Sequence, residues 1–444
     1  MQPNVELLAY QPAACSDRST TLTLLVRLRA PRVEMRRKPC LNVGLCIDRS
    51  GSMSGLPMQR ALEAGKHLVQ SLDPTDYVSV VAFDSSVEVP TQCRQVGLDS
   101  RPIVDRLQAL FARGGTALHQ GWVESCRQVD RGVANGRLSR VLLLSDGQAN
   151  VGLVDTQRIA AQVADWQRRG ISTTTIGLGE GYNEDLLSAM ARAGNGNFYN
   201  VRTPEDIAST FEVEMHGMFS TFGQAVSLGV EAQSGVEVLQ VVNPLERTEK
   251  GRYKLADLVH GNPIDVVLEL LVPAMLTEHD LCRFRLAYTD VQTGQRHHTH
   301  HTLRLPVVPA GQLSEFPLNP EVLQKRALQL SARTLQKAVA LIDLNDTVGA
   351  KAALQSGLDL LSQAGTSAEL ADTANQLRQL LQSLERGAVG SVRKQATYYS
   401  GSVSLSSISL SGGIREFMAL PAEERTPEKL NELMLYGGSQ GADG

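Results

Sequence analysis

The chain has 444 residues, 42% of them hydrophobic and 20% charged, with a formal net charge of −4. That length exceeds one ordinary hydrophobic core and predicts about two to three domains. The balance of charge leaves no basic footprint for nucleic acid or an anionic membrane, so a polyanionic polymer is disfavoured as a partner.

The first stretch, "MQPNVELLAYQPAACSDRSTT", lacks a basic start followed by a long apolar run, so no secretory signal is expected. Residues 1–38 contain one clear β segment, "TLTLLVRLRAP". A lone strand or hairpin cannot bury a face by itself, and this one is expected to pair with strands beyond residue 224. Residues 39–219 then alternate short apolar runs with helical patterns, the mark of a parallel sheet covered on both faces. "LNVGLCI", "YVSVVAF", "RVLLLS" and "STTTIGL" read as central strands, and "SSVEVP" as an antiparallel edge. Helical spacing joins Met58, Leu62, Gly65, Val69 and Leu72, and again Ile159, Val163 and Trp166. A last helix is expected from Pro204 through Ile207, Phe211, Met215 and Met218.

Residues 220–309 return to β segments, among them "VSLGVEA", "VEVLQVV", "DVVLELLVP", "CRFRLAY" and "HTLRLPVV". Residues 317–388 carry three leucine stripes at helical spacing, which predict antiparallel helices with short loops. Residues 389–444 read as a Ser/Gly-rich tail with a short helix from Pro427 to Tyr436. The expected architecture is therefore a doubly wound α/β parallel sheet at 39–219, inserted in an antiparallel β-sandwich made of 1–38 and 220–309. A small α-helical bundle follows at 317–388. No segment reaches the roughly 18 apolar residues of a membrane span. Six cysteines, Cys15, Cys40, Cys46, Cys93, Cys126 and Cys282, are scattered without CxxC pairs, as expected of reduced thiols in a cytoplasmic protein.

Chemistry concentrates where loops leave the sheet. "LCIDRSGSMSG" places Asp48, Ser50 and Ser52 at alternate positions after the first central strand. "GGTALHQG" presents Thr116, and "LLLSDGQAN" presents Asp146 directly after another strand. Loops at strand C-terminal ends surround the crevice where ligands collect in such sheets. Two carboxylates and three hydroxyls form an all-oxygen set, suited to Mg²⁺, with Mn²⁺ or Ca²⁺ as substitutes, and not to zinc or copper. A turn alone would explain "DRSGS", but Thr116 and Asp146 arriving in the matching loops favour a metal site.

"DRSGSM", "GGT" and "SDG", in this order and spacing, resemble the von Willebrand factor A (VWA) domain with its metal-ion-dependent adhesion site. The β segments around it resemble bacterial VWA proteins related to inter-alpha-trypsin-inhibitor heavy chains. The resemblance implies that Ser50, Ser52 and Thr116 ligate the metal directly, with Asp48 and Asp146 acting directly or through water. It implies no catalytic residue. A cation held mainly by neutral hydroxyls keeps an open position, so a Glu or Asp of a protein partner would complete the shell. The expected function is a non-catalytic, metal-dependent protein-binding module, an adaptor or scaffold in the bacterial cytoplasm. The rival is a Mg²⁺-dependent phosphatase or hydrolase with Asp48 as nucleophile, weakened because Ser50 stands where the common Asp-nucleophile phosphatases carry a second aspartate. A third reading, a co-factor subunit of an AAA+ ATPase, is again a binding function.

Other features have plainer accounts. Asp84 after "VVAF" reads as a turn residue. In "RHHTHHT", His298 and His300 share one strand face and His297 and His301 the other, too few per face for a closed zinc site. Cys46 should be a buried small apolar residue, and the glycines of "IGLGEGYN" lack dinucleotide-binding spacing.

Overall fold

The structure is a computed structural model and describes residues 2–31, 38–404, 417, 420 and 424–436. The chain opens with β1 (Asn4–Ala9), β2 (Ala14–Cys15) and β3 (Thr20–Arg29). An α/β region follows: β4 (Cys40–Asp48), α1 (Leu56–Ser71), β5 (Tyr77–Phe83), β6 (Val87–Gln95), α2 (Arg101–Gln108) and α3 (Leu118–Asp130). It continues with β7 (Arg137–Ser145), α4 (Thr156–Arg168), β8 (Ile171–Leu178), α5 (Glu184–Ala193), β9 (Asn195–Val201) and α6 (Asp206–Phe219). Strands return as β10 (Thr221–Ala232), β11 (Glu237–Val241), β12 (Tyr253–Lys254), β13 (Leu258–Val259), β14 (Ile264–Val272), β15 (Cys282–Asp290), β16 (Arg296–Leu303) and β17 (Val307–Val308). Last come α7 (Pro320–Asp343), α8 (Thr347–Gln363), α9 (Ala368–Glu385), α10 (Val389–Ser404) and α11 (Pro427–Tyr436). The described residues within Met1–Val33, Phe222–Asp290 and Gln295–Ser407 form one compact unit. Those within Glu34–Thr221, Val291–Gly294 and Ile408–Gly444 form the other.

The α/β unit is a six-stranded sheet in the order β6-β5-β4-β7-β8-β9, parallel throughout except for the edge strand β6. Its central strand β4 is buried along nearly its whole length because helices cover both faces. Helix α3 lies close against the sheet because two contacts have no side chain in the way. A Cβ at Gly44 would stand 2.6 Å from Val129 Cγ2, and one at Gly121 would stand 2.5 Å from Phe83 Cδ1. The far edge, β9, escapes sequence reading because "NGNFYNV" lacks a clean apolar alternation. In this unit Arg425, just before α11, bonds Asp206 of α6 at 2.7 Å, and Leu430 is buried.

In the other unit two antiparallel sheets face each other, ordered β1-β3-β14-β11 and β12-β10-β15-β16, with β13 on β10. The early strand β3 lies between β1 and β14, with Leu28 opposite Ile264 and Thr20 opposite Val272. Its alternation explains why both of its faces are apolar. Leu24, Val26 and Leu28 enter the sandwich core beside Leu228 and Phe284. Leu25 points the other way, into a cluster with Val267 and Val322 of α7. On that side Arg27 is buried between Asp265 and Glu321, each at 2.7 Å, so an ion cluster fastens α7 to the sheet.

The bundle takes a fourth helix. Residues 389–404, read from sequence as the start of the tail, form α10, and Val392 and Ala396 join the core of Leu335, Leu354, Leu377 and Leu384. The serines and glycines of this stretch mask a thin apolar stripe at Val389, Val392, Ala396 and Tyr399. The rest of the expected tail, apart from 417, 420 and 424–436, lies outside the described residues. The histidines of β16 split between its faces, His298 and His300 being exposed. Among the described residues no group of three or more His, Cys, Asp or Glu is placed to hold a metal ion, and no helix is long and apolar enough to cross a membrane.

Candidate metal centre

At the C-terminal edge of the sheet, the crossover from the β4-β5 side to β7 creates a switch point, and the loops after β4 and β7 part there. Asp48 ends β4 fully buried. Its Oδ1 accepts the Ser50 N–H at 2.8 Å and its Oδ2 accepts the Ser145 hydroxyl at 2.5 Å. The Ser50 and Ser52 hydroxyls are 3.1 Å apart, and Ser52 donates to Asp146 Oδ1 at 2.8 Å. Thr116 arrives from the loop before α3. A Cβ built on Gly147 would lie 3.3 Å from Thr116 Oγ1, 3.7 Å from Ser52 Oγ and 3.9 Å from Asp48 Oδ2. Thr116, Ser52 and Asp48 therefore meet around Gly147, and Ser50 and Asp146 join them through the Ser52 hydroxyl. Asp48, Ser50 and Thr116 form the buried floor of this cluster, whereas Ser52 is exposed and Asp146 half-buried at its mouth.

Backbone hydrogen bonds between loops fix this register. Arg113 N–H donates to Arg49 O at 2.6 Å, Gly51 N–H to Gly114 O at 3.1 Å, and Ala117 N–H to Asp84 O at 2.7 Å. Thr116 is held from the opposite side, its N–H donating to Asn150 Oδ1 at 2.9 Å. Asp84 takes no place in the cluster, as its turn reading predicts. Its Oδ1 accepts from the N–H and hydroxyl of Ser86, and its Oδ2 from Arg49 and Arg113 at 3.0 and 2.8 Å. Sequence reasoning missed Arg49, Ser145, Gly147 and Asn150, which position the oxygen donors. Arg49, Ser145 and Gly147 stand beside recognised ligands in the quoted motifs, and that adjacency was the available signal.

The electrostatics separate the two kinds of carboxylate. Burial pushes Asp48 up to about 6, against the hydrogen bonds from Ser145 and Ser50, and the charge of Asp146 adds to the rise. Burial raises Asp146 as well. Neither has an ion-pair partner among the described residues. Asp84 shows the converse: against the upward push of burial, Arg113, Ser86 and Arg49 hold it at about 2. Two unpaired carboxylates facing three hydroxyls suit a hard divalent cation, which would replace the missing positive charge. Cys46, inside β4, is buried and its thiol is pushed well above the ordinary range by desolvation, so it is inert.

The α/β unit is a doubly wound domain with an all-oxygen cluster at the ends of its parallel strands. Residues 42–213 match the family model described as von Willebrand factor type A domain, and this region has the VWA fold. It is similar to the uncharacterized protein YfbK of Escherichia coli, with 27% identity over 70% of this chain and 56% of that protein. It is also similar to human inter-alpha-trypsin inhibitor heavy chain H2, with 24% identity over 38% of this chain and 18% of the heavy chain. The chain thus spans little more than half of the first relative and less than a fifth of the second. Among solved structures, a von Willebrand factor type A protein from Catenulispora acidiphila superposes with a TM-score of 0.67 at 21% identity, over 85% of this chain and 89% of that one.

Proposed function

We propose that this chain is a non-catalytic, metal-dependent protein-binding module, an adaptor or scaffold of the bacterial cytoplasm. Ser50, Ser52 and Thr116 would hold Mg²⁺ directly, with Asp48 and Asp146 acting directly or through water. When bound, the cation supplies an electrophilic position for a carboxylate oxygen. The chain's own groups do the rest. Asp48, Ser50 and Thr116 form the buried floor, and Ser52 and Asp146 leave the mouth open to a Glu or Asp of a partner protein. The observation that carries the reading is the convergence of Thr116, Ser52 and Asp48 oxygens around the Gly147 gap. The phosphatase alternative is disfavoured because Ser50 stands where such enzymes carry a second aspartate.

The test is capture of partners by the full chain in Mg²⁺ and in EDTA, with Thr116→Ala in parallel. A true ligand should dissociate with EDTA, fail to bind Thr116→Ala, and lose about 2–5 kcal/mol when its contacting acid is truncated. Binding indifferent to all three changes would refute the reading, and so would turnover of a small phosphate ester that stops in Asp48→Asn.

A further inference from the structure

The outer face of the sheet β12-β10-β15-β16 gathers three arginines, Arg252, Arg285 and Arg296, that no acid among the described residues neutralises. Pairing sets Gly229 opposite Arg285, and Arg285 opposite His300. Leu228, Leu286 and Phe284 point inward to the sandwich core, so alternation places Gly229, Arg285, His298 and His300 on the other side. Arg252 reaches the same place from the residue before β12. A Cβ built on Gly229 would stand 3.6 Å from Arg285 Cβ and 3.7 Å from Arg252 Cγ, so the two stems flank a trough floored by glycine. Arg296 leans over the same strand, donating to Ala225 O at 2.7 Å and toward Ser227 Oγ at 3.4 Å.

Among the described residues none of these three arginines has a carboxylate partner, although arginine is the residue best suited to bidentate ion pairs. Asp280 on this side is paired with Arg283 and Arg304, and Glu231, opposite Arg283 in the register, makes no ion pair with any of the three among the described residues. Arg285 Nη1 is buried with no hydrogen-bond partner. Burial, and then the charges of Arg252 and Arg285, hold Arg296 below the usual guanidinium range. Like charges brought together around an unsatisfied donor are unfavourable unless an anion completes them. A single carboxylate brings one charge and two oxygens. A phosphoryl group brings close to two charges and three oxygens, one for each guanidinium fork.

We propose that the trough floored by Gly229 and walled by Arg252, Arg285 and Arg296 is a phosphoryl-binding site, taking a phosphate monoester or free phosphate. The exposed His298 and His300 rings border it and are available as further donors.

The test is calorimetric titration of the full chain at low salt in EDTA, which keeps the metal centre out of the reaction, with phenyl phosphate, inorganic phosphate and acetate as probes. Phenyl phosphate should bind one-to-one, weakening about tenfold in each of Arg252→Gln, Arg285→Gln and Arg296→Gln, and not in the remote Arg101→Gln. Comparable binding of inorganic phosphate assigns the phosphoryl group itself, and binding of inorganic phosphate alone assigns a free-phosphate site; both support the proposal. Circular dichroism checks that the variants fold. Phosphate should raise the melting temperature of wild type and not of Arg285→Gln, and Arg285→Lys should fall between them. Acetate binding as tightly as phosphate, affinity unchanged in all three variants, or no saturable binding below about 10 mM would overturn it.

Discussion

Replacing Gly147 by alanine removes no ligand, yet it should abolish metal binding. Gly147 lies outside the glycines with positive φ, so its backbone accepts a side chain. The new methyl would meet Thr116 Oγ1 at 3.3 Å, with Ser52 Oγ and Asp48 Oδ2 at 3.7 and 3.9 Å. The first contact is tight enough to displace the threonine hydroxyl by a few tenths of an ångström. Mg²⁺ demands near-octahedral oxygens at about 2.0–2.1 Å and tolerates no such shift. In EDTA the variant should match wild type or gain about 0.4–1 kcal/mol from the lower entropy of its unfolded chain. At a hundredfold excess of Mg²⁺ over Kd, wild type should gain about 2.7 kcal/mol. For a unit of this size that is an increase of about 5–10 °C in its thermal transition. Differential scanning calorimetry with Mg²⁺ and with EDTA measures both quantities. An equal Mg²⁺-induced rise in wild type and Gly147→Ala would refute the assignment of this gap as the metal position.

Arg140→Met should destabilise the α/β unit by about 3–5 kcal/mol in urea unfolding. It strands Glu214, which is fully buried and receives Arg140 at 2.7 Å together with Thr174, Asn197 and Tyr199. Leu377→Ala should cost about 2–5 kcal/mol in the helical bundle, since Leu377 is buried in its core. Asp84 predicts an acid-sensitive contribution. Its carboxyl is held at about 2 in the folded chain, below the unfolded value near 3.9, so its stabilisation is complete above pH 4 and is lost as pH falls through 2. The effect is about 2 kcal/mol and should be missing from the acid limb of Asp84→Asn, as followed by fluorescence.

The sequence was most legible where one element decides the outcome. β4, β5, β7 and β8 announce themselves as short runs of apolar and β-branched residues. Asp48, Ser50 and Ser52 are legible because they follow a central strand directly, in the loop at its C-terminal end. Features set by contacts between distant segments were not legible. Asn150 matters because its side chain reaches back to Thr116, and Gly147 because of what surrounds the atom it lacks. Nor does any local pattern reveal that Arg27 meets Asp265 across 238 positions. Composition misled at α10, where serines and glycines on the wet face concealed four apolar positions at helical spacing.

The central claim, a cation site at the sheet edge with a position open to a partner's acid, is tested most directly by anomalous diffraction from crystals of the full chain grown with Mn²⁺. The account predicts one peak about 2 Å from the hydroxyl oxygens of Ser50, Ser52 and Thr116, with a coordination position facing solvent filled by water or by a neighbouring carboxylate. A peak elsewhere, or none at saturating Mn²⁺ with all five side chains placed as described, would contradict it.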